Sequence, residues 1–230
     1  MIIQNNAIFI ADAHHNTERS QLNNLLTKLK LGNIQSTQIF LMGDIFDFLS
    51  EEIDYFKSLN NQIIVLIQEL SQTHEVVYLE GNHDFNLHKI FPNVTVFQRK
   101  EQPLFIKQEN KIIALSHGDI FTPYSYNIYT LIIRNHKFLQ FINFLDINNF
   151  LSKFVEKKLM KKNLCHKQSN YLNFIKNRIK SYNSINITDL IIEGHFHQGS
   201  ISDKYINIPS LVCDNKYMIY QNNEFSFNIL

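Results

Sequence analysis

Residues 78–87 read YLEGNHDFNL. The strand-forming run Val76-Val77-Tyr78-Leu79 passes through Glu80-Gly81 and meets an amide, an imidazole and a carboxylate in a row: Asn82, His83 and Asp84. Branched and aromatic residues favour a strand, and Gly-Asn with a following Asp is, alone, ordinary turn chemistry. What decides the fold is that the same event recurs along the chain. Ala7–Ala11 ends at Asp12-Ala13-His14, and Ile39–Met42 ends at Gly43-Asp44-Ile45-Phe46-Asp47. Lys111–Leu115 ends at Ser116-His117-Gly118-Asp119, and Asp189–Ile192 ends at Glu193-Gly194-His195-Phe196-His197. Independent turns do not readily close successive apolar strands with the same residue types.

Helical spacing lies between the early strands: Leu22, Leu25, Leu26 and Leu29, then the stretch from Tyr55 to Leu70. Strands alternating with helices predict a mixed sheet with parallel strands. In such sheets the functional crevice lies beyond the carboxyl ends of the strands, so clusters far apart in sequence can converge. Their donors are His, Asp and Asn without Cys, a set that suits Mn, Fe or Zn. His195 and His197, two residues apart, face opposite sides of an extended chain and can serve two different metals. Gly43, Gly81, Gly118 and Gly194 remove a side chain beside each expected ligand. From Ser200 onward, short strands separated by polar or Pro-containing turns are expected.

With 230 residues, 44% hydrophobic and 19% charged, the chain can bury a substantial core and is not disordered. No apolar run approaches the roughly 18 residues needed to span a bilayer. The start, MIIQNNAIFIADAHH, reads as a first strand and not as a signal peptide. Cys165 and Cys213 lie outside any metal-binding spacing, and with that start they suggest a reducing cytoplasm. Net charge is only +1, but from Ile120 to Ile185 there are 11 Lys or Arg against Asp146 and Glu156. The remainder holds 11 basic and 19 acidic residues (22 − 11 and 21 − 2). Residues 123–182 also lack Gly and carry Phe138, Phe141, Phe144, Phe150 and Phe154 among the lysines. They read as amphipathic helices forming an inserted cap, with residues 1–122 and 183–230 as the core. The charge asymmetry suggests that the cap meets a polyanion or an anionic membrane surface.

The ordered strand-end motifs from Asp12 to His197 resemble the calcineurin-like metallophosphoesterase superfamily. That resemblance implies an α/β fold, a four-layer α/β/β/α sandwich with a helical cap insertion. It implies two divalent metal ions, Mn foremost with Fe or Zn as alternatives. Asp12, His14 and His197 would hold one, Asn82, His117 and His195 the other, and Asp44 would bridge both. His83 would stand at the leaving-group oxygen as the catalytic acid or charge stabiliser. Asp84 would orient that imidazole or cap a following helix, and Asp47 would support the ligands from behind.

Within the superfamily, Gly43–Asp47, Gly81–Phe85 and His117–Asp119 resemble the UDP-2,3-diacylglucosamine diphosphatases of lipid A synthesis. That family commonly has Arg after the metal-binding Asn, where this chain has His83. Arg134-Asn135 is similar to an Arg-Asn pair in its cap, and Lys167 to its late lysine run. The resemblance implies a nucleotide-lipid or related phosphoester as substrate, and a cap that rests on a membrane surface. It implies a cytoplasmic enzyme, peripheral on the inner membrane face, and nucleic acid is not the expected partner.

Overall fold

The computed structural model describes residues 1–230. Two sheets stack face to face. The first has the order β11-β10-β1-β2-β3-β4, from Glu224–Ile229, Lys216–Gln221, Ala7–Ile10, Gln38–Leu41, Glu75–Leu79 and Thr95–Phe97. β1 to β4 run parallel, and β10 joins β1 antiparallel. The second has the order β5-β6-β7-β9-β8, from Leu104–Gln108, Lys111–Ser116, Leu190–Glu193, Tyr205–Asn207 and Ser200–Ile201. In it β6, β7 and β9 are parallel.

Two-residue alternation in the central strands builds the layers. Ile8, Ile10, Ile39, Leu41, Val76 and Tyr78 face the helices α1 (Gln21–Lys30) and α3 (Asn61–Leu70). Phe9, Phe40, Met42, Val77 and Leu79 face the other way, against Ile113, Leu115 and Ile192 of the second sheet. Phe9 and Phe40 stack with ring centroids 4.4 Å apart between the sheets. Truncating either to Ala would cost about 3–5 kcal/mol. The short α2 (Asp54–Leu59) precedes α3.

The cap segment holds α4 (Tyr124–Ile133), α5 (His136–Leu145), α6 (Phe150–Met160) and α7 (Tyr171–Asn183). Only the first three project as a cap. α7 packs Phe174, Ile175, Ile179 and Tyr182 on Ala114, Ile191 and Tyr205, and so forms the outer layer of the second sheet. The sequence reading places α7 in the cap, because an amphipathic helix has the same pattern whichever surface it covers. Four layers result: α1 and α3, first sheet, second sheet, α7.

The two cysteines are paired, which the sequence reading does not anticipate. Cys165, between α6 and α7, is disulfide-bonded to Cys213 in the short helix α8 (Leu211–Asp214). The partners are 48 residues apart, and only the fold-back of the 161–170 segment over α8 brings them together.

Candidate metal centre

Because β1, β2, β3, β6 and β7 are mutually parallel within their sheets, their carboxyl ends share one rim. Asp12, His14 and His197 gather there, and Asp44, His117 and His195 gather beside them, each trio with donor atoms within 4.8 Å of one another. Asp44 Oδ2 stands between the groups, 3.8 Å from His14 Nε2 and 3.5 Å from His117 Nε2. Asn82 Oδ1 lies 3.2 Å from His117 Nε2, which puts the amide with the second group. His197 Nε2 is 3.3 Å from Asp12 Oδ1. Asp12, His14, Asp44 and His117 are buried.

The backbone that achieves this is unusual. Asp12, His14, Asp44, His195 and His197 have φ of 49, 41, 52, 63 and 54°, in the left-handed region. Each non-Gly residue held there costs on the order of 1–3 kcal/mol, so the surrounding core must over-determine these loops. The idea that His195 and His197 diverge along an extended chain is thereby corrected. β7 ends at Glu193, and two left-handed turns, not strand pleating, send the rings to different groups. Gly43, at φ +83°, has no room for a Cβ, which would strike the His117 ring. A Cβ on Gly81 would strike the backbone and carboxylate of Asp44.

Asp84 is the organiser that the sequence reading leaves open. Its carboxylate accepts from the amides of Asp44 (2.9 Å), Ile45 (2.6 Å) and Gly81 (2.9 Å) and from the Tyr78 hydroxyl (2.6 Å). It neither touches the His83 ring nor caps a helix, since no helix starts there. Its work is to shape the Asp44 turn. Burial, joined by the charge of Asp44, pushes its own pKa up to about 6.

The donors are oriented for a cation. His117 Nδ1 is tied to the Met42 carbonyl at 2.9 Å, and His14 Nδ1 lies 3.5 Å from Asp47 Oδ1, so their Nε2 atoms face inward. Asp47 is in turn held by Arg19 at 2.7 Å and Asn16 at 2.6 Å. Such outer contacts fix the tautomer of metal-binding imidazoles. Asp12 Oδ1 is buried without a hydrogen-bond partner, a cost that a bound cation would relieve. Burial alone would raise the pKa of Asp44, but the imidazoles of His117, His83 and His14 override it and hold the carboxyl well below its usual range. Burial likewise opposes ionisation of Asp12, and His197 outweighs it. Burial and the neighbouring His117 push His195 down to about 4, and its Nδ1 lies 3.1 Å from His117 Nε2. Buried, anionic carboxylates among inward-facing imidazoles fit a pair of hard or borderline divalent ions.

His83 forms a further such trio with His14 and Asp44, all three buried. Its amide donates to Asp44 Oδ1 at 2.8 Å, its Nδ1 meets the Asp47 carbonyl at 2.7 Å, and its ring is edge-on to His14 at 5.0 Å. The three candidate substrate residues have protein partners instead. Arg134 donates to the Gly81 carbonyl at 2.6 Å and pairs with Glu80 at 3.3 Å and Asp119 at 3.6 Å. Asn135 caps α5 by accepting from the Phe138 amide. Lys167 donates to the His197 carbonyl and pairs with Asp214 at 3.3 Å. A second arginine went unnoticed in the sequence. Arg178 of α7 binds the buried Glu193 and the carbonyls of Ile120 and Gly118, and Tyr182 and Tyr205 also donate to Glu193. Its only sequence signal is a lone glutamate closing β7, which demands a cation.

The model of the calcineurin-like phosphoesterase family matches residues 6–199. A UDP-2,3-diacylglucosamine hydrolase of Coxiella burnetii (strain Dugway 5J108-111) is 30% identical over 113 residues, 49% of this chain and 46% of that protein. The enzyme of the same name from Aromatoleum aromaticum is 28% identical over 116 residues, 50% of this chain and 47% of that protein. The matched stretch thus spans about half the length of these curated relatives. Yfce, a phosphoesterase from E. coli, superposes with a TM-score of 0.46 at 14% identity, covering 96% of this chain and 90% of that one. The family match covers every strand end that carries a donor, and the chain belongs to the calcineurin-like phosphoesterase family.

Proposed function

We propose that this protein is a dinuclear metal-dependent hydrolase that cleaves the pyrophosphate of UDP-2,3-diacylglucosamine, releasing UMP and the lipid 1-phosphate. The observation that carries the reading is the placement of Asp44 between two donor groups, with Asn82 as the one uncharged oxygen donor. Asp12 with His14 and His197 would hold one ion, and Asn82 with His117 and His195 the other, Mn being the favoured metal. Bound there, the ions would polarise the phosphoryl oxygens and lower the pKa of water toward about 7. Two carboxylates against two dications leave the site positive, and an aspartate in place of Asn82 would weaken that. His83 is fixed at Nδ1 by the Asp47 carbonyl, which orients its ring beside the donor groups.

The cap supports a lipid reading. Tyr124, Phe144 and Phe150 are 80, 82 and 79% exposed, with Phe141, Phe154, Leu131 and Ile147 nearby in sequence and also exposed. Interfacial helices bury such faces at a bilayer while lysines meet anionic head groups. No helix is long and apolar enough to cross a membrane. The working place in this reading is the cytoplasmic face of the inner membrane. A phosphodiesterase or phosphatase acting on another nucleotide or phospholipid is the second reading, favoured by His83 where the closer relatives commonly have Arg. The test is turnover of UDP-2,3-diacylglucosamine by Mn-loaded protein, beside simple nucleotides and diesters. Cleavage of the latter alone would select the second reading.

A further inference from the structure

The cations around the site are almost all spent on carboxylates. Arg19 pairs with Asp47, Arg134 with Glu80, Arg178 with Glu193 and Lys167 with Asp214. Lys162 is different. It follows α6 on the segment that folds back over the metal centre, and its Nζ lies 3.2 Å from His83 Nε2. No carboxylate lies within ion-pair distance of it. An ammonium can only donate, so this contact uses the imidazole lone pair, while Nδ1 of the same ring donates to the Asp47 carbonyl at 2.7 Å. His83 is thus held from both ends: from the core through Asp47 and from the cap through Lys162. The segment itself is pinned on the far side by the Cys165–Cys213 bond and by Lys167 on the His197 carbonyl.

We propose that Lys162 is a positioning and specificity residue for the leaving group: a cap-borne positive charge that orients His83 and selects esters whose leaving group departs as an anion. This rests on the hydrolase reading above. In the step concerned, a water oxygen forms the new bond to phosphorus and the bond from phosphorus to the leaving oxygen breaks. The electron pair stays on that oxygen, and the proton lost by water passes to it or to solvent. The charge gathered on the leaving oxygen would be met by the Lys162 ammonium, which His83 Nε2 holds through one of its three hydrogens. For a pyrophosphate, the leaving group is itself a phosphate and already anionic. An unpaired ammonium at that side answers this charge, whereas a cation neutralised by a neighbouring carboxylate would not.

The experiment uses the full chain loaded with Mn²⁺ and a series of uridine 5′-aryl phosphates whose leaving phenols differ in acidity. Lys162→Ala is expected to keep the native metal content and unfolding temperature, since the residue is exposed. Its kcat should fall roughly 10- to 100-fold, less than the ~10²–10³ lost with a dry oxyanion donor. The loss should grow as the phenol becomes less acidic, and Lys162→Arg should recover most of it. A loss equal for every phenol, or no loss, overturns the inference while leaving the hydrolase reading intact. Should the native protein cleave only the nucleotide-lipid, the variants are compared there. A kcat lowered at least 10-fold with KM little changed supports the role, and an unchanged kcat overturns it. Failure of the native protein on every phosphoester counts against the hydrolase reading itself.

Discussion

The floor and the roof of this site are built by opposite means. The floor is made of strand ends, with Asp12, His14, Asp44 and His117 buried and most donors on left-handed backbone. Its strain is balanced by two packed sheets and by multiple acceptances at one carboxylate, Asp84. The roof is three short helices with many apolar side chains facing outward, joined to the floor by one small apolar cluster, Leu139, Ile133 and Val155 against Ile53, Phe56 and Phe85, and by polar contacts that include Arg134, the Tyr55–Glu156 bond at 2.6 Å, the Asp54–Asn143 pair and Lys162. The difference teaches where chemistry and where selection reside. A floor over-determined by packing can hold donors at fixed distances. A roof held by few contacts can adapt to a substrate or a surface.

The largest effects should come from the floor. Asp44→Ala removes the carboxylate between the two donor groups and is expected to abolish turnover and to lower the metal bound per chain, measured by elemental analysis. His83→Gln, by contrast, should retain the metal and lose about 10²–10⁴ in kcat, the usual contribution of a positioned acid or base. Equal metal loss in both variants would make His83 a ligand and break the division of roles drawn above.

Next in size is the joint between α7 and the second sheet. Arg178→Ala strands the Glu193 carboxylate in the interior with only Tyr182, Tyr205 and Ser116 hydroxyls around it. Breaking a buried pair this way costs about 3–5 kcal/mol, read as a lowered denaturant midpoint. A change below ~1 kcal/mol, the scale of a surface pair, would mean that the hydroxyls alone satisfy Glu193. Asp47→Asn is smaller: it leaves every expected ligand in place and should weaken metal affinity by roughly 10- to 100-fold.

How much of this could be read from the residues differs in the same two regions. The floor was legible because strand alternation and the polar clusters obey a local rule: each donor closes the apolar run that positions it. The family resemblance supplied the pairing of donors, which spacing alone left open. The roof was legible only as amphipathic helices. Nothing local tells α7, which covers Ala114 and Ile191, from α5, which leaves Phe141 and Phe144 exposed. Arg134 is matched to substrate only by the family's Arg-Asn pair, and its partners Glu80 and Asp119 arrive from distant loops that no local pattern links to it. Lys162 was one lysine among many until the fold-back placed it at His83.

The smallest expected effect concerns the Cys165–Cys213 clasp, and it separates floor from roof most sharply. Cys213 Sγ lies 3.8 Å from His197 Nδ1, so the bond ties the cap segment to a residue touching an expected ligand. In a reducing cytoplasm the bond would be open, and the segment would then be held by polar contacts such as those of Lys162, Lys167 and the Gln168 amide on Gln198. Opening it, by reductant or by Cys165→Ser, removes no donor and leaves the sheets untouched. Metal content should therefore stay constant, while turnover falls a few-fold as Lys162 spends less time against His83. In the Lys162→Ala background the same opening should change turnover little, because the residue the clasp positions is gone. If opening it instead releases metal, the clasp belongs to the floor, and His197 depends on it directly.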